Sequence, residues 1–141
     1  MNKRIGLYLV VTLIVLLIAT ACSQGPVNPQ GGITIGGTVA MDRADSAEIY
    51  LDVSPDAANI ESVSLSMTNL NCEGFSAGSW MTTVSSQTPI TDGEFLFKSD
   101  NVGEISGKFT SPTAAEGTIH LAPFSGNAEC GNWNWTAEFK Q

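Results

Sequence analysis

From Ile33 onward, hydrophobic and polar residues alternate with a period of two, and no window holds the 3.6-residue spacing of an amphipathic helix. In "AEIYLDVS", Ile49, Leu51 and Val53 fall on one face and Glu48, Tyr50 and Asp52 on the other, the mark of a half-buried strand. "VSLSMT" repeats this with Val63, Leu65 and Met67 inward. At the same parity Leu70 and Cys72 would face water; one extra residue near Thr68 or Asn69 would turn both to the core. Asp92-Gly93 supplies the two positive-φ residues of a tight hairpin turn, and Phe95 and Phe97 then share a face. Ile105 and Phe109, Ile119 and Leu121, and the run Trp133, Trp135, Ala137 and Phe139 continue the pattern. The turn-forming clusters "SDNVG", "SPTAAEG" and "SGNAECGN" separate these segments. The spacing predicts an all-β domain of about seven to nine short strands, an antiparallel β-sandwich of Ig-like or jelly-roll type.

The first residues follow a different rule. Lys3 and Arg4 precede an apolar stretch from Ile5 to Ala21 that ends in small residues, and "SQGPVNPQGG" follows without a charge. This is the layout of an export signal, predicted as a helix over 1–21. A membrane-spanning helix needs roughly 20 apolar residues and polar anchoring on its far side. "ATAC", Ala19 to Cys22, resembles the lipobox of bacterial lipoproteins, small residues before a cysteine. The resemblance implies that Cys22 becomes the mature N-terminus, carries fatty acyl chains through its sulfur and anchors the protein to a bacterial membrane from outside the cytoplasm. With two membranes, Ser23 in place of aspartate points to the outer one. More than one acyl chain is needed for stable anchoring, at about 0.8 kcal/mol per buried methylene.

Cysteine usage agrees with export. Cys22, Cys72 and Cys130 are the three present, and lipidation of Cys22 leaves an even pair for a disulfide in an oxidising compartment. Residues 22–32 read as the lipidated N-terminus and a flexible linker, broken by Pro26, Pro29 and Gly31-Gly32. Residues 33–141 are enough for one domain. The 14 acidic residues outnumber six basic ones, and without the signal only Arg43, Lys98, Lys108 and Lys140 remain basic. That balance excludes phosphate-backbone binding, so no nucleic-acid partner is expected.

The segment from Pro89 to Phe139 is also similar to small extracytoplasmic bacterial domains of unknown function. The similarity lies in Asp92-Gly93-Glu94-Phe95, the run Gly103 to Ile119, and Cys130 with Trp135-Thr136-Ala137. It implies an all-β body and no particular activity.

Four constellations bear on chemistry. "GFSAG", Gly74 to Gly78, matches the nucleophile elbow of serine hydrolases and makes Ser76 a candidate with His120. The elbow needs a strand-to-helix turn, and no helical pattern follows Gly78. Asp42, Asp45 and Glu48, and Asp100, Asn101 and Glu104, offer loop oxygens of the kind calcium takes, without EF-hand spacing. The thiols lack metal-ligand spacing, and no cofactor is expected. Tyr50 and Trp80 are the aromatics expected to be exposed, as a glycan-stacking surface requires. The expected function is therefore a membrane-anchored, non-catalytic binding or scaffolding domain for an envelope component. A glycan-binding module is the alternative, and a hydrolase on Ser76 and His120 the second.

Overall fold

The computed structural model describes residues 25–122 and 130–139; the apolar leader and Cys22 lie outside them. Eight strands follow in order: β1 (Thr34–Val39), β2 (Ser46–Val53), β3 (Asn59–Cys72), β4 (Phe75–Pro89), β5 (Glu94–Ser99), β6 (Gly103–Ser111), β7 (Ala114–Leu121) and β8 (Gly131–Phe139). All pair antiparallel in one sheet of order β4-β3-β2-β1-β8-β7-β6-β5.

The all-β, antiparallel reading holds, and the strand number falls within the expected range. The expected division into two packed sheets does not describe the pairing, because hydrogen bonding runs unbroken from β4 to β5 through β1 and β8. Two four-stranded meanders are joined at their first and last strands, Gly37 opposite Ala137, and the continuous sheet curls to nearly a barrel. The curvature has a local cause at two places. A Cβ on Gly37 would lie 1.7 Å from the Thr136 carbonyl oxygen, and one on Gly117 would lie 1.9 Å from that of Ser106. Only a residue without a side chain lets neighbouring backbones come that close.

The inner face carries the core that the alternation predicts. Ile49, Leu51, Val63, Leu65, Met67, Phe97, Ile105, Phe109, Ile119 and Leu121 are all buried. Trp135 is 1% exposed and lies against Phe95, ring centroids 6.1 Å apart. Its Nε1–H donates to the Ser106 carbonyl at 3.2 Å. Gly107 makes the bed for this indole, since a Cβ there would sit 2.4 Å from Phe95 and 2.7 Å from Trp135. The outer face is mostly Ser, Thr, Glu and Lys, as in the paired Ser64–Thr83 and Ser106–Thr118 hydroxyls, with Met81 and Leu96 as exposed exceptions. A barrel wall that faced lipid would be apolar outside.

Leu70 and Cys72 do face the core, at 1% and 7% exposure. Asn69 takes a left-handed φ of 53°, and Thr68 and Asn69 are exposed in succession. Across the pair, Gly78 and Ser79 are also exposed in succession. Both strands change parity on the same rung, so Thr68↔Ser79 and Leu70↔Ala77 stay in one register. Asp92 and Gly93 have the expected positive φ, 53° and 77°.

The linker expected over 22–32 is not free in its described part. Val27 packs against the core and Pro29 is buried. Gln30 N–H donates to the Pro112 carbonyl at 2.7 Å, and Gly32 N–H to the carbonyls of Val53 and Ser54. The prolines and glycines exclude helix and strand here, but turn carbonyls satisfy the backbone and Val27 contributes apolar burial. This strap runs along the end of the sheet that carries the β2–β3, β4–β5 and β6–β7 turns.

The β2–β3 turn is held by side chains. Ser54 Oγ donates to Asp56 Oδ1 at 2.5 Å and accepts from the N–H groups of Ala58 and Asn59. Asp56 Oδ1 also accepts from Ala58 N–H at 3.1 Å. The Ser54 hydroxyl, and then the Ala58 N–H, hold the Asp56 carboxyl below the usual carboxylate range. Its folded value is lower than its unfolded one, so its contribution to stability is present above pH about 4 and is lost as pH falls through the folded value. Urea titrations between pH 2 and 7 should show a shallower acid-side loss of stability for Asp56→Asn than for the parent; identical slopes would remove this carboxylate from the acid response.

Candidate functional site

The residues singled out in the sequence do not converge. Tyr50 stands on the outer wall, opposite Ser64 on β3 and Gly36 on β1. Its ring lies over Gly36, where a Cβ would meet it at 2.6 Å, and its hydroxyl donates to Glu48 at 2.9 Å. That bond to Glu48, followed by burial, raises the phenol pKa above its ordinary value. Tyr50 is therefore half-buried and laid flat on the sheet.

Trp80 has the opposite orientation. The Gly-Ser pair before it is part of β4, and the exposure expected for Trp80 is not found. The parity change at Gly78 and Ser79 turns Trp80 inward beside Met67, half-buried against the core. Tyr50 and Trp80 thus occupy opposite faces. Trp133 is also half-buried, with Nε1–H donating to Asp42 at 3.0 Å.

Ser76 lies within β4 and donates to Asn71 Oδ1 at 2.9 Å. Among the described residues no helix follows it, so the elbow geometry is absent. His120 is on the outer face of β7, opposite Glu104 and Asn132, with Nδ1 3.1 Å from Asn132 Oδ1. Four strands separate β4 from β7 along the sheet, and the two side chains project from different parts of its outer wall.

The acidic loops are engaged one residue at a time. Asp42 accepts from Trp133, Asp45 from Asn69 Nδ2 at 2.6 Å and Glu48 from Tyr50. In the other loop Asn101 N–H donates to Ser99 Oγ, and Glu104 pairs with Lys98 at 2.6 Å. Among the described residues no three His, Cys, Asp or Glu side chains are grouped to hold a metal.

Cys72 and Cys130 form a disulfide with Cα atoms 4.6 Å apart. It ties the end of β3 to the start of β8, three places away in the sheet order, and fastens the end opposite the strap.

The surface feature that sequence reasoning missed is the border of the sheet. β4 is an end strand of 15 residues, "FSAGSWMTTVSSQTP", without one charge. The other end strand, β5, has six residues and includes Glu94 and Lys98. Beside the β4–β5 turn, a shallow groove of about 800 Å³ opens over β5, β6 and β7, bordered by Pro89, Asp92, Glu94, Leu96, Lys108 and Glu116. The signal was present in the sequence as a long uncharged run in an acidic chain, but alternation alone does not say which strand ends a sheet. Compared with models of known protein families and with curated proteins, the chain matches none of them.

Proposed function

We propose that the chain is a lipid-anchored extracytoplasmic protein of a bacterial envelope, whose β body binds or scaffolds another envelope component and carries out no catalysis. The observation that carries the reading is the use of the cysteines. Cys72 and Cys130 are spent on each other, which leaves Cys22 of the three outside that bond, directly after an apolar leader and within "ATAC". An exported chain with an odd cysteine needs a fate for it, and acylation supplies one. The host's outer membrane, where there is one, is the location favoured by Ser23.

A polar wall around an apolar core suits a body held beside a membrane, and the strap seated from Val27 onward leaves only a few residues between it and Cys22. In a fully extended chain that gap spans at most about 3.6 Å per residue. The body would then sit close to the lipid surface, its strap end toward it.

Intact-mass analysis of the protein isolated from native membranes tests the anchor. The expected mass lacks Met1 to Ala21 and exceeds the remaining polypeptide by a diacylglyceryl group or more. Cys22→Ala should move the protein out of the lipid-bound fraction. A chain with the leader attached and an unmodified thiol would replace this reading with a retained helix.

A further inference from the structure

We propose that the open edge of β4 takes up an extended segment of another protein by strand addition, and that this segment is uncharged along its centre and basic at both ends. The inference rests on the binding role proposed above and names its surface and its partner chemistry.

The two borders of the sheet are treated differently. β5 is short, and its Glu94 and Lys98 are matched across to Lys108 and Glu104 on β6; short length and edge charge are how proteins discourage pairing. β4 has neither protection, and its one proline, Pro89, is its last residue. The turn between β4 and β5 is closed by an isolated bridge, Thr91↔Glu94, and among the described residues no ladder pairs β4 with β5. A hairpin continued from that bridge would set Ser99 opposite Ser86, so the 15-residue β4 has residues 76–85 to spare beyond the six-residue β5. Along them Trp80, Thr82 and Val84 form the inner row, and Ser79, Met81, Thr83 and Ser85 the outer, with Met81 74% exposed. An added strand would find main-chain partners at the edge and two alternating rows of side chains beside it.

Charge decides between a second copy and a different partner. The antiparallel register that overlaps Phe75–Pro89 fully with itself is centred on Thr82 and sets Trp80 beside Val84 of the other copy, a favourable pair. The same register brings Glu73 of each copy against Thr91 and Asp92 of the other, at both ends. Like charges would therefore oppose one another twice, between chains of formal net charge −8. A segment with lysine or arginine at its ends turns both repulsions into attractions. Beyond the Asp92 end, Glu116 borders the neighbouring groove, whose one base, Lys108, is paired with Glu94.

The test uses the full-length protein in detergent micelles and a synthetic peptide with alternating valine and threonine at its centre and two lysines at each end. Slower backbone hydrogen exchange confined to residues 76–85 is expected on binding. The same peptide with glutamates at its ends should bind at least tenfold more weakly. Glu73→Gln with Asp92→Asn should weaken the lysine-ended peptide several-fold while leaving the melting temperature of the body in place. Absence of slowing at β4, slowing at β5 instead, or equal binding of both peptides would overturn the proposal. A concentration-dependent dimer that protects the same residues without peptide would assign the edge to a second copy and overturn it as well. An unlipidated Cys22 in the mass analysis would remove the anchor and leave the edge result standing.

Discussion

Loss of the Cys72–Cys130 bond, as Cys72→Ala with Cys130→Ala, should destabilise the body by about 4 kcal/mol. The bond closes a loop across a separation of 58 residues, and loop-closure entropy for that length gives this figure. Most domains of this size have only about 5–15 kcal/mol in total. The structure adds a reason why the sheet itself cannot replace the link. Strands three places apart in a flat sheet lie about 14 Å from each other, whereas here the two Cα atoms are 4.6 Å apart. The bond therefore secures the curl at the end where β3 passes over the β1–β2 loop. Alanine is the suitable replacement because both sulfurs are in buried positions, where a serine hydroxyl would add a desolvation cost of its own. In thermal unfolding the midpoint should fall by roughly 15–20 °C, and adding a reductant to the parent should reproduce the shift. A difference under about 1 kcal/mol would mean that the unfolded chain is already compact enough for the link to matter little.

Trp135→Ala should cost a similar amount, about 3–5 kcal/mol, by leaving a cavity where a fully buried indole was. The indole lies over Gly107, meets Phe95 at 6.1 Å and donates to the Ser106 carbonyl. Trp135→Phe keeps an aromatic ring in the site but loses the donor and part of the indole's volume, so its cost should be smaller than that of alanine, about 1–3 kcal/mol. The bed and the ring are coupled. Gly107→Ala alone pushes a methyl into Phe95 and Trp135 and should destabilise; in the Trp135→Ala background the same methyl fills part of the cavity. The double variant should then be less unstable than the two single costs predict, by a margin that urea titrations resolve. Additive costs would show that the ring does not rest on Gly107 as described.

Both effects arise in places that one-dimensional reading handles unequally. The inward faces of β2, β5, β6 and β7 were legible, because alternation is a local property and Ile49, Phe97, Ile105 and Ile119 could be assigned without knowing their neighbours. In β8 the same parity put Trp133, Trp135, Ala137 and Phe139 together, yet Phe139 is 43% exposed because the strand runs out of the core at its end. The Asp92-Gly93 turn was legible for a chemical reason, the two positive φ angles that this pair tolerates. The parity change at Asn69 could be suspected from Cys72, but its match at Gly78 and Ser79 on β4 could not. That second change is what turned Trp80 inward and parted it from Tyr50.

The candidate site was the least legible part. Ser76, His120 and the acidic loops carry the right letters, but letters at short range say nothing of which strands adjoin. The uncharged length of β4 acquires meaning only once β4 is known to end the sheet and to outrun β5.

By itself the sequence determined that the body is all strand, which faces of most strands are apolar, where the hairpin turn falls, and that Cys22 stands in a lipobox-like context. Only the tertiary structure decided that β1 joins β8 in one continuous curled sheet, that Val27 to Gly32 dock along its end, and that among the described residues β4 is left as an open border. The physical reason is one of range. Alternation and turn chemistry act within a few residues, whereas strand order, curvature and edges follow from contacts between segments far apart in the chain, such as Gly37 with Thr136 and Cys72 with Cys130.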